Sequence, residues 1–322
     1  MGEQISDERR YVTREVSFEV DGSRIAGLLY RPTDAHAPSA CVVMATGFSG
    51  TMDWILPDFA KAFATRGLAV LTFDYRFFGR SGGEPRQLVD SRRQREDLRG
   101  ALTYIRGHRD IDENRIALWG TSLGGSHVIE IASRDPNIAA VVANVPALDM
   151  YAGLHGRFKP PNYRPGAVQT LFSTVRLLMA ATADVIRGKL GRPPRYIAVY
   201  GPLGHAVFSD PSLEALFREV GDQSPTWRNA VTPRFLFHAP RYRSGTAERV
   251  RCPLMVTLAR DDAEISSKFV KEKLSQARLP DIREYPVGHF EVYHGAVRDE
   301  IISDQSLFLV RHLLTDHAPE RG

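Results

Sequence analysis

The first residue of this 322-residue chain whose type and spacing could do chemistry is a serine between two glycines. Ser122 lies in the segment Gly-Thr-Ser-Leu-Gly, residues 120–124, directly after the apolar run 116–119 and before a helical pattern. Gly-x-Ser-x-Gly between a strand and a helix predicts a sharp turn that exposes the serine Oγ. Such a serine can attack a carbonyl carbon once a base removes its proton, whereas an ordinary turn serine would do no chemistry.

A histidine near the end of the chain is the predicted base. His289 lies in Gly-His-Phe, residues 288–290, just after a short predicted strand at 282–286. Histidine suits this role because its ordinary pKa lies near neutral pH. The other histidines considered are less well placed: His127 is on the helix after Ser122, His294 follows His289 closely, and three lie in or near an inserted segment, His155, His205 and His238.

The imidazole needs a carboxylate on its other nitrogen, and the loop 259–264 supplies candidates after another predicted strand. Asp261 and Asp262 both follow the end of that strand. The acid in such loops usually lies three residues after a small residue, here Ala259, and this favours Asp262. Asp261 remains the main alternative and Glu264 a more distant one.

A glycine-rich loop after the third predicted strand, Thr-Gly-Phe-Ser-Gly at residues 46–50, could stabilise an oxyanion. In this kind of site two backbone amides hold the developing negative charge. We predict that they belong to Phe48 and Leu123, with Gly47 as the nearest alternative to Phe48. An ordinary glycine-rich turn is the alternative without chemistry.

The elements that must position these loops are strands alternating with helices. This alternation predicts an α/β fold with a mostly parallel, doubly wound sheet. Near the N-terminus, strands at 16–20 and 25–30 flank Asp21-Gly22, which predicts an antiparallel hairpin at one edge. The reactive loops then all lie at the carboxyl ends of parallel strands, where active sites of such sheets occur.

The alternation stops between residues 147 and 231, which are rich in proline and aromatic residues. We predict a core in two parts, 1–146 and 232–322, with a largely helical cap insertion at 147–231. Helices that pack beside the sheet without touching substrate are the alternative. The first helix carries an apolar stripe that could face the core or a second subunit, and the oligomeric state is therefore open. The stripe consists of Leu171, Val175, Leu178, Val185 and Ile186.

Composition excludes several function classes. The net charge is only +4, and acidic residues interrupt the densest arginine run at 92–95, so we expect no nucleic-acid partner. No apolar run is long enough for a membrane span or a signal peptide, which predicts a cytoplasmic protein without a membrane partner. Neither Cys41 nor Cys252 has a second cysteine at the spacing of a zinc site, so the sequence predicts no such site. The mechanism expected for the serine also needs neither a metal nor an organic cofactor.

These segments together resemble the α/β-hydrolase superfamily, and they are similar to its dienelactone-hydrolase-like and acyl-peptidase-like branches. The resemblance covers about residues 20–146 and 250–315 and leaves the cap unmatched. The chain differs from dienelactone hydrolases proper, whose nucleophile is cysteine, and from dehalogenases and epoxide hydrolases, whose nucleophile is aspartate. The matching segments are 47–48, 74–83, 120–124, 259–262 and 288–290.

The resemblance implies a serine hydrolase with a Ser122-Asp262-His289 triad that cleaves a small carboxylic ester, a thioester or a lactone. An acyltransferase, a lactone-forming cyclase or a C–C bond hydrolase could use the same triad. A serine peptidase and a non-catalytic binding protein are further alternatives. Aromatic residues and arginines of the cap permit either a bulky apolar group or an anionic substrate.

Overall fold

The computed structural model describes residues 10–34, 38–152, 157, 158, 160 and 162–315. This part of the chain forms ten strands and seven α-helices. The strands are β1 (Tyr11–Val20), β2 (Ser23–Pro32), β3 (Ser39–Ala45), β4 (Ala69–Phe73), β5 (Ile111–Thr121), β6 (Ala140–Asn144), β7 (Ala198–Tyr200), β8 (Ala206–Phe208), β9 (Leu254–Ala259) and β10 (Pro280–Tyr285). The α-helices are α1 (Leu56–Thr65), α2 (Ser91–Arg106), α3 (Leu123–Ala132), α4 (Ala167–Lys189), α5 (Glu214–Gln223), α6 (Ser267–Leu274) and α7 (Gly295–Leu313).

Eight of the strands form one sheet in the order β1-β2-β4-β3-β5-β6-β9-β10. The pairs from β4 to β10 are parallel, whereas β1 pairs with β2, and β2 with β4, in antiparallel fashion. Helix α1 packs against α7, and α2 packs against α3, so that helices cover the sheet in two groups. The predicted doubly wound sheet with an antiparallel hairpin is confirmed.

The hairpin turn follows from two residues. Asp21 and Gly22 both have positive φ, 47° and 70°, which is the backbone of a two-residue turn that matches the twist of the flanking strands. Aspartate and glycine tolerate this conformation better than other residues. The turn sets the register that pairs Phe18 with Ile25.

The central strands β3, β4, β6 and β9 are buried along almost their whole length. Their sequences are continuous apolar runs because helices cover both faces of the sheet. Parallel pairing aligns the strand ends, with Gly120 of β5 beside Ala45 of β3, and Asn144 of β6 beside Thr257 of β9. The loops that follow these strands therefore meet at one edge.

We call residues 147–231 the cap segment. It contains helices α4 and α5, as predicted, and Asp210 accepts a hydrogen bond from the backbone amide of Ser212 at the start of the short helix that leads into α5. Its two short parallel strands, β7 and β8, were not predicted. Three residues are too few for an alternating pattern to reveal a strand. Within the described residues no helix has both the length and the hydropathy needed to cross a membrane.

The apolar stripe of α4 does not pack on the core. Leu171 and Ile186 are 63% and 52% exposed, and Val175 and Leu178 are exposed as well. The interpretation in which this stripe faces the core is therefore wrong for these residues. The buried residues of α4 lie on another face and are Ala180, Ala181 and Asp184.

A buried ion pair holds that other face in place. The Asp184 carboxylate, with no exposed surface, accepts hydrogen bonds from Nε and Nη2 of Arg234 and from the backbone amide of Arg195. The distances are 2.5, 2.9 and 2.8 Å, respectively. Arg234 belongs to the short 3₁₀ helix Pro233–Phe237. Helix α4 is therefore fixed by a two-pronged guanidinium–carboxylate contact and small side chains.

Candidate active site

The turn between β5 and α3 carries Ser122 in a strained backbone conformation, with φ 51° and ψ −116°. A side chain at Gly120 would collide with the carbonyl of Gly124, and one at Gly124 would collide with the carbonyl of Ala45. Both glycines of the Gly-x-Ser-x-Gly pattern are therefore required by close backbone approach. The turn leaves Ser122 half-buried at the N-terminus of α3.

The three predicted triad residues lie in one hydrogen-bonded chain. His289 Nε2 is 3.2 Å from Ser122 Oγ, and His289 Nδ1 is 2.7 Å from Asp262 Oδ2. The other oxygen of Asp262 accepts the backbone amides of Glu264 and Ile265, at 2.8 and 2.7 Å. These amides orient the carboxylate so that it can hold the imidazole in one tautomer.

The alternatives for these roles lie elsewhere. Asp261 contacts Arg260 instead of His289, with 3.3 Å between oxygen and nitrogen. His127 is buried beside Gln94 at 3.0 Å, and burial lowers its pKa to about 3. His155 lies outside the described residues. Glu264 does not bond to His289, although it lines the same cavity.

Opposing effects act on the pKa of His289. Burial disfavours the charged imidazolium and by itself lowers the pKa, but the adjacent Asp262 carboxylate outweighs it through its charge and its hydrogen bond. The charge of Glu264 adds to the increase, and that of Arg157 opposes it. The net result is a pKa above the ordinary histidine value, which suits a base that must take a proton from serine.

The residues predicted to supply the oxyanion donors, Phe48 and Leu123, line the same cavity as Ser122. In the described part of the chain, neither the Phe48 amide nor the Leu123 amide donates a hydrogen bond to another protein group. The same is true of the Gly47 amide, so the choice between Phe48 and Gly47 stays a prediction. A Cβ at Gly47 would lie 3.3 Å from Ser122 Cβ, which is how closely this loop approaches the serine.

Two aspartates fix the loop that carries Phe48. Asp74 is fully buried and accepts the backbone amides of Met52 and Arg80, at 2.7 and 2.8 Å. Asp53 accepts the amide and hydroxyl of Thr226 in the cap segment, at 3.0 and 2.9 Å. The loop is thus tied both to the loop after β4 and to the cap segment.

A buried polar network beneath the site escaped the sequence analysis. Gln305 on α7 donates to Asn144 and Thr257 at 3.0 and 2.9 Å, and accepts the Trp119 indole N–H at 2.7 Å. These contacts join the ends of β5, β6 and β9 to one helix. The signal in the sequence was a polar residue within an apolar run, as at Asn144 and Thr257, because a polar group that is buried there needs a hydrogen-bond partner.

Ser122 and His289 open into a cavity of about 250 Å³ with mainly apolar walls. Three charged residues, Asp149, Arg157 and Glu264, also line it. The cavity can therefore hold an apolar group next to the serine, with a few polar side chains to orient it. Residues of the cap segment form much of the wall and include Ala147, Met150, Leu177, Ile197, Val207 and Phe208.

Comparisons with known proteins identify the family and the fold. Residues 36–268 match the protein family described as serine aminopeptidase, S33. The α/β hydrolase GrgF from Penicillium sp. sh18 has a similar structure, with a TM-score of 0.75 and 24% identity, covering 94% of this chain and all of that chain. At this identity the likeness supports the fold alone.

Two relatives are similar in sequence. The quorum-quenching protein AidA of Acinetobacter baumannii is 33% identical over 299 residues, 92% of this chain and 94% of AidA. The thiohydrolase apmlB of Arthrinium phaeospermum is 34% identical over 231 residues, 69% of each chain. With a family match over more than half of its length and a triad-like arrangement at the expected loops, this chain belongs to the serine aminopeptidase S33 family of α/β-hydrolases.

Proposed function

We propose that this protein is a serine hydrolase that cleaves a carboxylic ester, a thioester or a lactone through an acyl-enzyme on Ser122. The hydrogen-bonded chain from Asp262 through His289 to Ser122, open to an apolar cavity, carries this proposal. Similarity to proteins named as quorum-quenching protein and thiohydrolase agrees with acyl-bond cleavage.

In this mechanism His289 Nε2 takes the hydroxyl proton as Ser122 Oγ attacks the carbonyl carbon of the substrate. The amides of Phe48 and Leu123 hold the oxyanion, and Asp262 stays ionised while it stabilises the imidazolium. The tetrahedral intermediate collapses, His289 protonates the leaving alcohol or thiol, and the acyl group remains on Ser122. Water then repeats both steps and releases the acid.

The direct test is intact-protein mass spectrometry after treatment with a fluorophosphonate. We expect one adduct on the parent, none on Ser122→Ala, and strongly slowed labelling of His289→Ala. Ser133→Ala is a matched control at the end of α3, where its hydroxyl donates only to the Glu130 carbonyl. A folded parent that takes no adduct while a small ester panel is also inert would contradict the proposal.

Product analysis separates hydrolysis from acyl transfer. The parent protein is incubated with one thioester, with and without an added alcohol or thiol acceptor, and the products are identified by mass spectrometry. Free acid in both reactions supports a hydrolase. An acyl product formed on the acceptor at the expense of the acid would instead indicate a transferase with the same acyl-enzyme.

A further inference from the structure

A second cavity, of about 430 Å³, adjoins the active-site cavity. It lies between the first half of α2, the outer face of α3 and the segment 238–246. Ser91, Ala239 and Pro240 line both cavities, so the two cavities lie side by side at these three residues. A single elongated ligand could therefore extend from one cavity into the other.

The lining of this second cavity is strongly basic. Its two carboxylates are already used: Asp90 accepts the amides at the start of α2, and Glu130 pairs with an arginine. With six arginines in the wall, the cavity has a formal excess of four positive charges, and we call it the arginine cavity. The arginines are Arg92, Arg95, Arg99, Arg134, Arg241 and Arg243.

Several of these arginines have no counter-ion. In the described part of the chain, Arg92 pairs with Glu96 and Arg134 with Glu130, but Arg95, Arg99 and Arg243 form no ion pair. Arg95 is half-buried, and burial has the largest effect on its pKa, which it lowers. The Glu130 carboxylate raises this pKa, and three neighbouring guanidinium groups lower it again, with a net decrease. Like charges held together with too few counter-ions are unfavourable, and an anion bound among them would relieve this repulsion.

The arginine cavity lies close to the nucleophile. Ser126 and Glu130 on its wall are four and eight residues beyond Ser122 on α3. A rise of 1.5 Å per residue places them about 6 and 12 Å along the helix axis from the reactive serine. This distance is short enough for one molecule to present an anionic group there and its acyl bond at Ser122.

We propose that the arginine cavity binds a phosphate group of the substrate, and that the substrate is a thioester of a phosphate-bearing thiol of the phosphopantetheine type. This inference rests on the proposed function. Phosphate is favoured over carboxylate because it carries up to two charges and three acceptor oxygens, which match several guanidinium forks at once.

In this arrangement the acyl chain occupies the apolar cavity and the thioester carbonyl lies at Ser122. The C–S bond breaks when the acyl group moves to Ser122 Oγ, and the thiolate receives its proton from His289. Water then cleaves the acyl-enzyme, so that thioester and water give acid and thiol. The arginines hold the phosphate and take no part in bond making or breaking.

The first test measures binding without catalysis. Calorimetric titration of Ser122→Ala with phosphopantetheine and with pantetheine isolates the contribution of the phosphate. We expect the phosphate to tighten binding at least about tenfold, the range for hydrogen bonds to charged groups. Arg95→Gln and Arg243→Gln should each remove most of this advantage. Arg109→Gln is the matched control, because this side chain lies outside the arginine cavity and is 95% exposed. This variant should retain the tighter binding of the phosphate-bearing thiol.

The second test measures turnover on one acyl chain carried by three thiols: N-acetylcysteamine, phosphopantetheine and coenzyme A. We expect kcat/KM to rise at least about tenfold once a phosphate is present, and Arg95→Gln to lose that rise while keeping activity on the phosphate-free thioester. A further arm uses the same acyl group on a carrier protein. A preference for coenzyme A or for the carrier supports the proposal in either case and identifies the source of the phosphate.

The outcomes separate this proposal from the proposed function. Phosphate-dependent binding that needs Arg95, in a protein inert toward all esters and thioesters, would support phosphate binding in the arginine cavity but overturn both the hydrolase mechanism and the thioester substrate. Equal turnover of all three thioesters, or a phosphate advantage unchanged in Arg95→Gln and Arg243→Gln, would overturn the arginine cavity and leave the hydrolase mechanism standing.

Discussion

Two helices illustrate how differently the core and the cap segment are built. Helix α3 begins at the nucleophile turn and buries nine of its ten residues between strands and α2. Helix α4 has 23 residues and buries three, one of them the charged Asp184. The core helix is therefore held by apolar packing on a rigid sheet, and the cap helix by a specific ion pair.

This difference suggests a division of labour. Reacting groups must hold their geometry to within a fraction of an ångström, and a densely packed sheet edge provides that. A cavity wall that selects substrates can tolerate looser attachment. If the division is correct, changes in the core should alter the rate of chemistry, whereas changes in the cap segment should alter selectivity and stability.

The largest effect is expected in the core, at Asp262. Asp262→Asn should lower kcat about 10³–10⁴-fold with little change in KM, because His289 loses the partner that fixes its tautomer. Asp261→Asn, one residue away, should stay near the parent because that carboxylate contacts Arg260 instead. Steady-state kinetics on an activated ester decides, and equal losses in both variants would contradict the assignment.

Next in size is the effect of the ion pair that joins helix α4 of the cap segment to the 3₁₀ helix Pro233–Phe237. Arg234→Gln leaves the Asp184 carboxylate buried without its counter-charge, and we expect a loss of about 3–5 kcal/mol in the free energy of unfolding. Arg218→Gln, in an exposed pair with Glu214 on α5, should cost less than about 1 kcal/mol. Urea unfolding measures both. A small effect of Arg234→Gln would mean that apolar contacts hold the cap helix after all.

Selectivity should respond to the cap wall. Phe208 lines the active-site cavity and packs edge-on against Phe48, with ring centres 6.1 Å apart. Phe208→Ala should change the ratio of kcat/KM for a bulky acyl ester to kcat/KM for an acetyl ester by about 10- to 100-fold. This is the discrimination expected when one apolar contact between the pocket and the substrate is altered. Phe172→Ala, on the 71% exposed side chain of α4, should leave the ratio unchanged. An equal fall in kcat for both esters would instead show that Phe208 contributes to the chemical step.

A smaller effect, whose direction can be predicted, is expected in the dependence of kcat/KM on pH. The base works only when His289 is neutral, and its raised pKa makes kcat/KM fall as the pH drops through a value above the ordinary 6.5. The charge of Glu264 raises this pKa, and burial raises the pKa of Glu264 itself, so that this charge is partly lost on the acid limb. Glu264→Gln should therefore move the limb to lower pH by a small amount. Glu284→Gln, on a surface pair with Lys271, is the control. Movement of the limb to higher pH would contradict this account of the site.

The smallest effect is expected on the exposed stripe of α4. Leu171→Ser and Ile186→Ser should each change the free energy of unfolding by less than about 0.5 kcal/mol, because neither side chain is buried in the folded chain. Thermal unfolding at low protein concentration tests this. A large loss would show that the stripe is covered in solution and would weaken the contrast with α3.

Much of the core follows from local sequence. Gly120 and Gly124 specify the turn at Ser122, Asp21-Gly22 specifies the hairpin, and continuous apolar runs specify strands covered on both faces. Each signal is short-range, because it depends on steric limits of a few adjacent residues or on a repeating pattern. The order of the strands along the chain then places the serine after β5, the acid after β9 and the histidine after β10.

Other features depend on residues far apart in the chain. The spacing from Ala259 favoured Asp262, but only the folded chain shows its carboxylate, and not that of Asp261, beside His289 Nδ1. The Gln305 network likewise joins residues up to 186 positions apart. The arginine cavity assembles α2, α3 and the segment 238–246, which no local pattern connects. An amphipathic pattern likewise predicted helix α4 without determining what its apolar side would contact. Sequence determined the elements and the order of the reactive groups, and only tertiary packing decided their neighbours, because burial and charge depend on what the rest of the chain brings alongside.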